Sequence, residues 1–69
     1  MEFKDKLIYA RAKLNMSQTD LANALSVSFQ TINRWENGKV KPTKKAEVQF
    51  DEFCHEHHII FKESALNER

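Results

Sequence analysis

The 69-residue sequence contains one glycine, one proline, one cysteine and no long uninterrupted apolar run. Each scarcity excludes something. With glycine and proline so rare, the chain lacks the breaks that the many turns of a β-sandwich require, so helices joined by short turns are expected. A lone cysteine, Cys54, cannot close an internal disulfide, and the fold needs no oxidising compartment. The opening MEFKDKLIYARAKL alternates charge with apolar residues, unlike a signal peptide, and no stretch is apolar for long enough to span a bilayer. The expected setting is the cytoplasm. A chain of this length makes one small domain, residues 1–69, with a modest core and no room for a deep substrate cavity.

What is present is an ordinary soluble composition, 41% hydrophobic and 30% charged, whose net charge of +1 conceals an uneven distribution. Residues 1–45 carry nine Lys and Arg against four acids, a charge of +5. Residues 46–69 carry two against six, a charge of −4. The basic portion suits a polyanion partner, although solvated helix faces alone can produce such scatter.

Apolar positions place the helices. Phe3, Leu7, Ala10 and Leu14 recur at helical spacing and predict a first helix ending near Asn15. Ser17-Gln18-Thr19-Asp20 reads as a capping box leading into Leu21, Ala22 and Leu25, a short second helix. Only a tight turn fits before Ser28, which can cap a third helix carrying Ile32 and Trp35 inward. The only glycine, Gly38, falls just past that helix, where a left-handed backbone satisfies the last carbonyls. After the basic linker Lys39-Val40-Lys41-Pro42, Thr43 can cap a fourth helix with the stripe Ala46, Phe50, Phe53, Cys54 and His57. The core is expected to span about residues 3–57. Ile59-Ile60-Phe61 is too short to decide between a strand and an extended packing segment, and Ala65 and Leu66 could begin a further helical turn.

The third helix has two sides. At 100° per residue, Phe29, Gln30, Asn33, Arg34 and Asn37 share an arc of roughly 140°, opposite Thr31, Ile32 and Trp35. Two short helices joined by a tight turn, the second showing an outward row of amide and guanidinium groups, suit insertion into the DNA major groove. Gln pairs two ways with adenine and Arg with guanine, so the chemistry required is hydrogen-bond matching rather than bond breaking.

The stretch SQTDLANALSVSFQTINRWENGKVKP, preceded by the LIYARAKLN helix, resembles the Cro/phage-repressor-like, or XRE-type, helix-turn-helix family over about residues 5–57. The resemblance rests on a combination: Arg11, Ser17-Gln18, Leu21-Ala22, Val27-Ser28, Thr31-Ile32, Trp35-Glu36-Asn37-Gly38 and Pro42. It implies an all-α, lambda-repressor-like bundle of four or five helices that binds operator DNA as a dimer on a palindromic site. By the same resemblance Gln30 and Arg34 read bases, Asn33 reaches a base or the backbone, and Gln18 clamps a phosphate at the start of the second helix. Ser28, Asn37, Lys39 and Lys41 are expected on phosphates, and Arg11 with Glu36 as an ion pair tying the first helix to the third. Two positions depart from the family pattern. Phe29 stands where a polar residue is common and either contacts a thymine methyl or packs against the turn. Ser26 stands where glycine is frequent, and a left-handed serine costs about 1 kcal/mol.

Rival readings are weaker. Cys54-His55-Glu56-His57-His58 offers ligands at helical spacing, but the chain has no other Cys or His to complete a four-ligand zinc site. A Cys/His nucleophile pair lacks an orienting third group, so no catalysis is expected, and neither is a cofactor. Trp35 and the phenylalanines alternate at core spacing rather than forming a stacking platform for single strands. The expected function is sequence-specific recognition of double-stranded DNA by a nucleoid-associated transcriptional regulator acting as a repressor. Helix 4 with Ile59, Ile60 and Phe61 is the expected homodimer contact. The alternative is a helical protein-interaction module, antitoxin-like or the targeting domain of a larger protein.

Overall fold

The computed structural model describes residues 1–61. Four helices follow one another: α1 (Phe3–Leu14), α2 (Gln18–Leu25), α3 (Phe29–Glu36) and α4 (Lys44–Glu56). No strand occurs among the described residues. None of these helices is long and apolar enough to cross a membrane. The possible helical turn at Ala65 and Leu66 lies outside the described residues.

Three helix starts are fixed by hydroxyl caps. The Ser17 hydroxyl accepts from the Asp20 amide at 3.0 Å while the Asp20 carboxylate accepts from the Ser17 amide at 3.1 Å, closing the capping box. Ser28 accepts from the Thr31 amide, and Thr43 from the Ala46 amide, both at 3.1 Å. The helix ends share a second device. Behind each one a residue turns left-handed: Asn15 (φ 56°), Ser26 (φ 58°), Gly38 (φ 74°) and His58 (φ 58°). The following amide then reaches back five residues: Met16 to the Arg11 carbonyl, Val27 to Ala22, Lys39 to Arg34 and Ile59 to Cys54, all at 2.9–3.1 Å. Glycine therefore occupies only one of these four turns, and Ser26 adopts the conformation usually left to glycine.

The core gathers one stripe from each helix. Leu7, Ala10, Leu21, Ala22, Leu25, Ile32, Trp35, Ala46, Phe50, Phe53 and Cys54 are buried. Phe3 sets its ring edge-on to both Trp35 and Phe50, with centroids 5.4 Å apart in each case, so α1 bridges α3 and α4.

Three expectations need correction at the C-terminal side. His57 does not extend the α4 stripe inward. It is exposed and sets its ring 4.4 Å from that of Phe53, because the helix has reached its end there. Ile59 and Phe61 are buried against the chain's own core, and Phe61 packs 5.5 Å from the Tyr9 ring, so neither is available as dimer surface. Only Ile60 of that trio, 74% exposed, faces outward. The segment is irregular, and its alternating burial carries the packed core on to Phe61, past the limit near residue 57.

Candidate nucleic-acid interface

Three residues, Ser26 to Ser28, separate α2 from α3. Val27 packs partly against the core, and the left-handed Ser26 turns the chain so that α3 lies across α2. The burial of Ile32 and Trp35 then fixes how α3 is rolled about its axis. Phe29, Gln30, Arg34 and Asn37 are exposed on its other side, with Phe29 standing 49% open to solvent rather than packed away. Asn33 is half-buried at the edge of this face that meets α2. Ser28 remains exposed, its hydroxyl capping α3 and lying 2.9 Å from the Thr31 hydroxyl.

Beyond α3, Lys39 and Lys41 are exposed in the loop that follows Gly38, as are Lys44 and Lys45 at the first turn of α4. Cations at a helix N-terminus oppose its dipole, so helix stability does not account for the last two. The fold adds a cation that spacing did not suggest. The Lys4 side chain lies over Gly38, its Nζ 3.8 Å from where a Cβ would stand. Thirty-four positions of sequence separate the pair, and no local pattern records the contact. Alongside it is a shallow cleft of about 330 Å³ lined by Phe3, Trp35, Val40 and Pro42 among others.

A polar network holds the face to the bundle. Arg11 of α1 donates through Nε to Glu36 Oε2 at 2.8 Å and through Nη2 to Glu36 Oε1 at 2.9 Å. Its Nη1 also donates to the Met16 carbonyl in the α1–α2 turn at 3.2 Å. Hydrogen bonding to Glu36 holds the Arg11 pKa above the ordinary guanidinium value; burial opposes the rise, and the charge of Glu36 adds a smaller push upward. Gln18 joins from α2, donating through Nε2 to Glu36 Oε1 at 2.9 Å. The residue expected to clamp a phosphate is thus hydrogen-bonded to the ion pair.

The Cys54-to-His58 run does not converge. Among the described residues no group of three or more Cys, His, Asp or Glu is placed to hold a metal ion. The Cys54 thiol is buried, and desolvation, reinforced by Asp51 and opposed by Lys6, pushes its pKa up to about 11. That is the environment of a packing residue rather than a nucleophile.

A tight turn between two short helices, with the second buried on one side and polar on the other, defines a helix-turn-helix domain of the DNA-binding kind. Residues 7–46, more than half of the chain, match the helix-turn-helix family model of Cro/C1, or XRE, type, and the chain belongs to that family of transcription regulators. It is similar to an uncharacterized HTH-type transcriptional regulator of Methanocaldococcus jannaschii, 46% identical over 50 residues that cover 72% of this chain and 76% of the relative. It is also similar to the HTH-type transcriptional activator BcrR of Enterococcus faecalis, 41% identical over 46 residues, covering 67% of this chain but only 22% of that longer protein. No solved structure matches the chain significantly.

Proposed function

We propose that the chain binds a specific duplex operator with α3 in the major groove, where Phe29, Gln30 and Arg34 face base edges and Asn33 lies at their margin. The observation that carries this reading is the two-sided burial of α3: Ile32 and Trp35 inside, Gln30 and Arg34 outside. Arg34 suits the O6 and N7 acceptors of guanine, Gln30 the N6 and N7 pair of adenine, and Phe29 a thymine methyl. Gln18, Ser28, Asn37, Lys39 and Lys41 hold the backbone on either side, and Lys4 beside Gly38 adds to their charge.

A single domain of this size covers only about 600–1,000 Å² of protein surface at DNA, too little for tight binding, so two copies occupy a palindromic site. Exposed Val48 on α4 and Ile60 after it supply the apolar contact between copies. The protein works in the cytoplasm, at the nucleoid. Repression by occupancy needs no surface beyond the DNA-binding face, whereas activation needs a further contact with polymerase, so repression is the expected outcome where the operator overlaps a promoter.

Selection of bound sites from random duplex DNA tests the reading. A palindromic consensus is expected, with two chains per site by sedimentation, and Arg34→Ala and Gln30→Ala each relaxing the preference at a base pair. Equal retention of all sequences, or binding that persists unchanged at high salt, would leave a protein-interaction module instead.

A further inference from the structure

α4 carries most of its charges the wrong way round for a lone helix. Lys44 and Lys45 open it, and Asp51, Glu52 and Glu56 occupy its C-terminal half, so both groups oppose the helix dipole. Glu47 alone of its acids sits at the favourable end. Glu47 and Asp51, like Glu52 and Glu56, stand four residues apart with like charge, which disfavours the helix further. Lys44, Lys45, Asp51 and Glu52 are all exposed, and within the described residues none of them has an ion-pair partner. A single copy of the chain offers this pattern no compensation.

The pattern is self-complementary about Val48, which stands 45% exposed at the middle of the outward face. At 100° per residue Lys44 and Asp51 fall about 40° and 60° to one side of Val48, and Lys45 and Glu52 about 60° and 40° to the other. Along the axis Lys44 and Lys45 lie about 6 and 4.5 Å before Val48, and Asp51 and Glu52 about 4.5 and 6 Å after it. Consider two antiparallel copies of α4 related by a two-fold axis that passes beside Val48, perpendicular to both. Each side of the helix then faces the same side of the other copy, with the order along it reversed. Lys44 stands opposite Asp51 of the second copy and Lys45 opposite its Glu52, each within about 2 Å along the axis. Symmetry doubles these to four pairs around a contact between the two Val48 side chains. The dipoles agree as well, since each pair of lysines lies beside the C-terminal half of the other helix. A parallel pairing would instead set lysine against lysine and acid against acid.

We propose that two copies pair through α4, antiparallel about Val48, with Lys44 to Asp51 and Lys45 to Glu52 ion pairs between them, and that the pairing is expressed when both half-sites of an operator are filled. The proposal rests on the reading that two copies share one operator, and adds the register and the groups that fix it. A helix of 13 residues with one exposed valine covers less than the roughly 1,200 Å² of total surface that a stable complex buries, so the copies pair only weakly in free solution. Held on adjacent half-sites they meet at a high effective concentration, and weak pairs are enough.

The experiment measures affinity on duplexes carrying one selected half-site, two half-sites or a scrambled sequence, and reads cooperativity as the gain on two half-sites over that expected from one. Wild-type protein that does not distinguish the half-site from the scramble would defeat the proposed function itself, before the pairing is in question. Given that distinction, the wild type is expected to show cooperativity on the order of tenfold. Independent filling of the two half-sites would overturn the pairing. Lys44→Glu/Lys45→Glu and Asp51→Lys/Glu52→Lys should each abolish the cooperativity, since both leave like charges facing. All four substitutions in one chain restore every pair with its signs reversed and should recover it, as should an equimolar mixture of the two double variants. Each replacement puts the favourable sign at its end of the helix, so the variants are expected to fold, and half-site binding reports that they do. Taking each variant's own half-site affinity as the reference removes any direct effect of Lys44 and Lys45 on phosphate. Cooperativity that survives either double variant, or that the fourfold variant does not recover, overturns the register.

Discussion

Both carboxylate oxygens of Glu36 are gripped by Arg11, 25 residues earlier in the chain, through two donors 2.8 and 2.9 Å away. The Glu36 side chain is only 6% exposed while that of Arg11 keeps 24%, so the acid depends more on the base than the reverse. Removing Arg11 leaves a charge out of water with Gln18 as its remaining side-chain partner. We expect Arg11→Ala to lower stability by about 3 kcal/mol, near the lower end of the range for broken buried pairs. The double variant Arg11→Met/Glu36→Leu should recover much of that loss, because it buries no charge. Urea unfolding of Arg11→Met, Glu36→Leu and the double variant completes the cycle.

The left-handed turns make a second expectation, with opposite signs at two positions. Ser26 holds φ 58° with a Cβ, a conformation that costs an L-residue about 1–2 kcal/mol. Ser26→Gly should therefore stabilise the protein by about 0.5–1 kcal/mol after the added freedom of the unfolded chain is subtracted. Gly38→Ala should cost about 1 kcal/mol. Space is not the reason, since a Cβ there would meet Lys4 Cδ at 3.5 Å, an ordinary contact. Thermal unfolding midpoints moving in the same direction for both variants would contradict this account.

Local chemistry made much of the fold legible. Ser17, Ser28 and Thr43 mark three helix starts because a cap is set by residues three apart, and the sequence shows such pairs directly. The roll of α3 was equally plain, since Ile32 and Trp35 fall at helical spacing opposite Gln30 and Arg34. The failures share a cause. Phe61 folds back onto the Tyr9 and Phe50 rings and Ile59 is buried in the same core, and a short apolar run does not say what it will meet. The same holds for Lys4 over Gly38 and for the link from Gln18 to Asn33, both created by tertiary approach.

Burial of Cys54 predicts an alkaline weakness. An unfolded thiol ionises near its ordinary value of 9.0, whereas the folded one holds its proton to about 11. Between these values the unfolded state binds fewer protons than the native state, so stability falls as pH rises through that window. Below pH 9 the thiol contributes no slope. Cys54→Ala should lose part of the decline in urea midpoint between pH 9 and 11, at the cost of a small cavity that lowers the whole curve. A wild-type and variant pair with parallel curves across that window would show that other groups cause the decline.

The loop lysines give the last expectation, and it separates charge from hydrogen bonding at the proposed DNA surface. Lys39 and Lys41 are exposed beyond Gly38, where each can neutralise a phosphate and release a condensed counterion. Replacing either by Ala should weaken all duplexes alike and flatten the plot of log affinity against log salt by about one unit of slope. Asn37→Ala should weaken binding too, yet leave that slope where it was, because a neutral amide releases no ion. If the lysine variants kept the wild-type slope, the phosphate-facing surface would have to be sought elsewhere, among Lys4, Lys44 and Lys45.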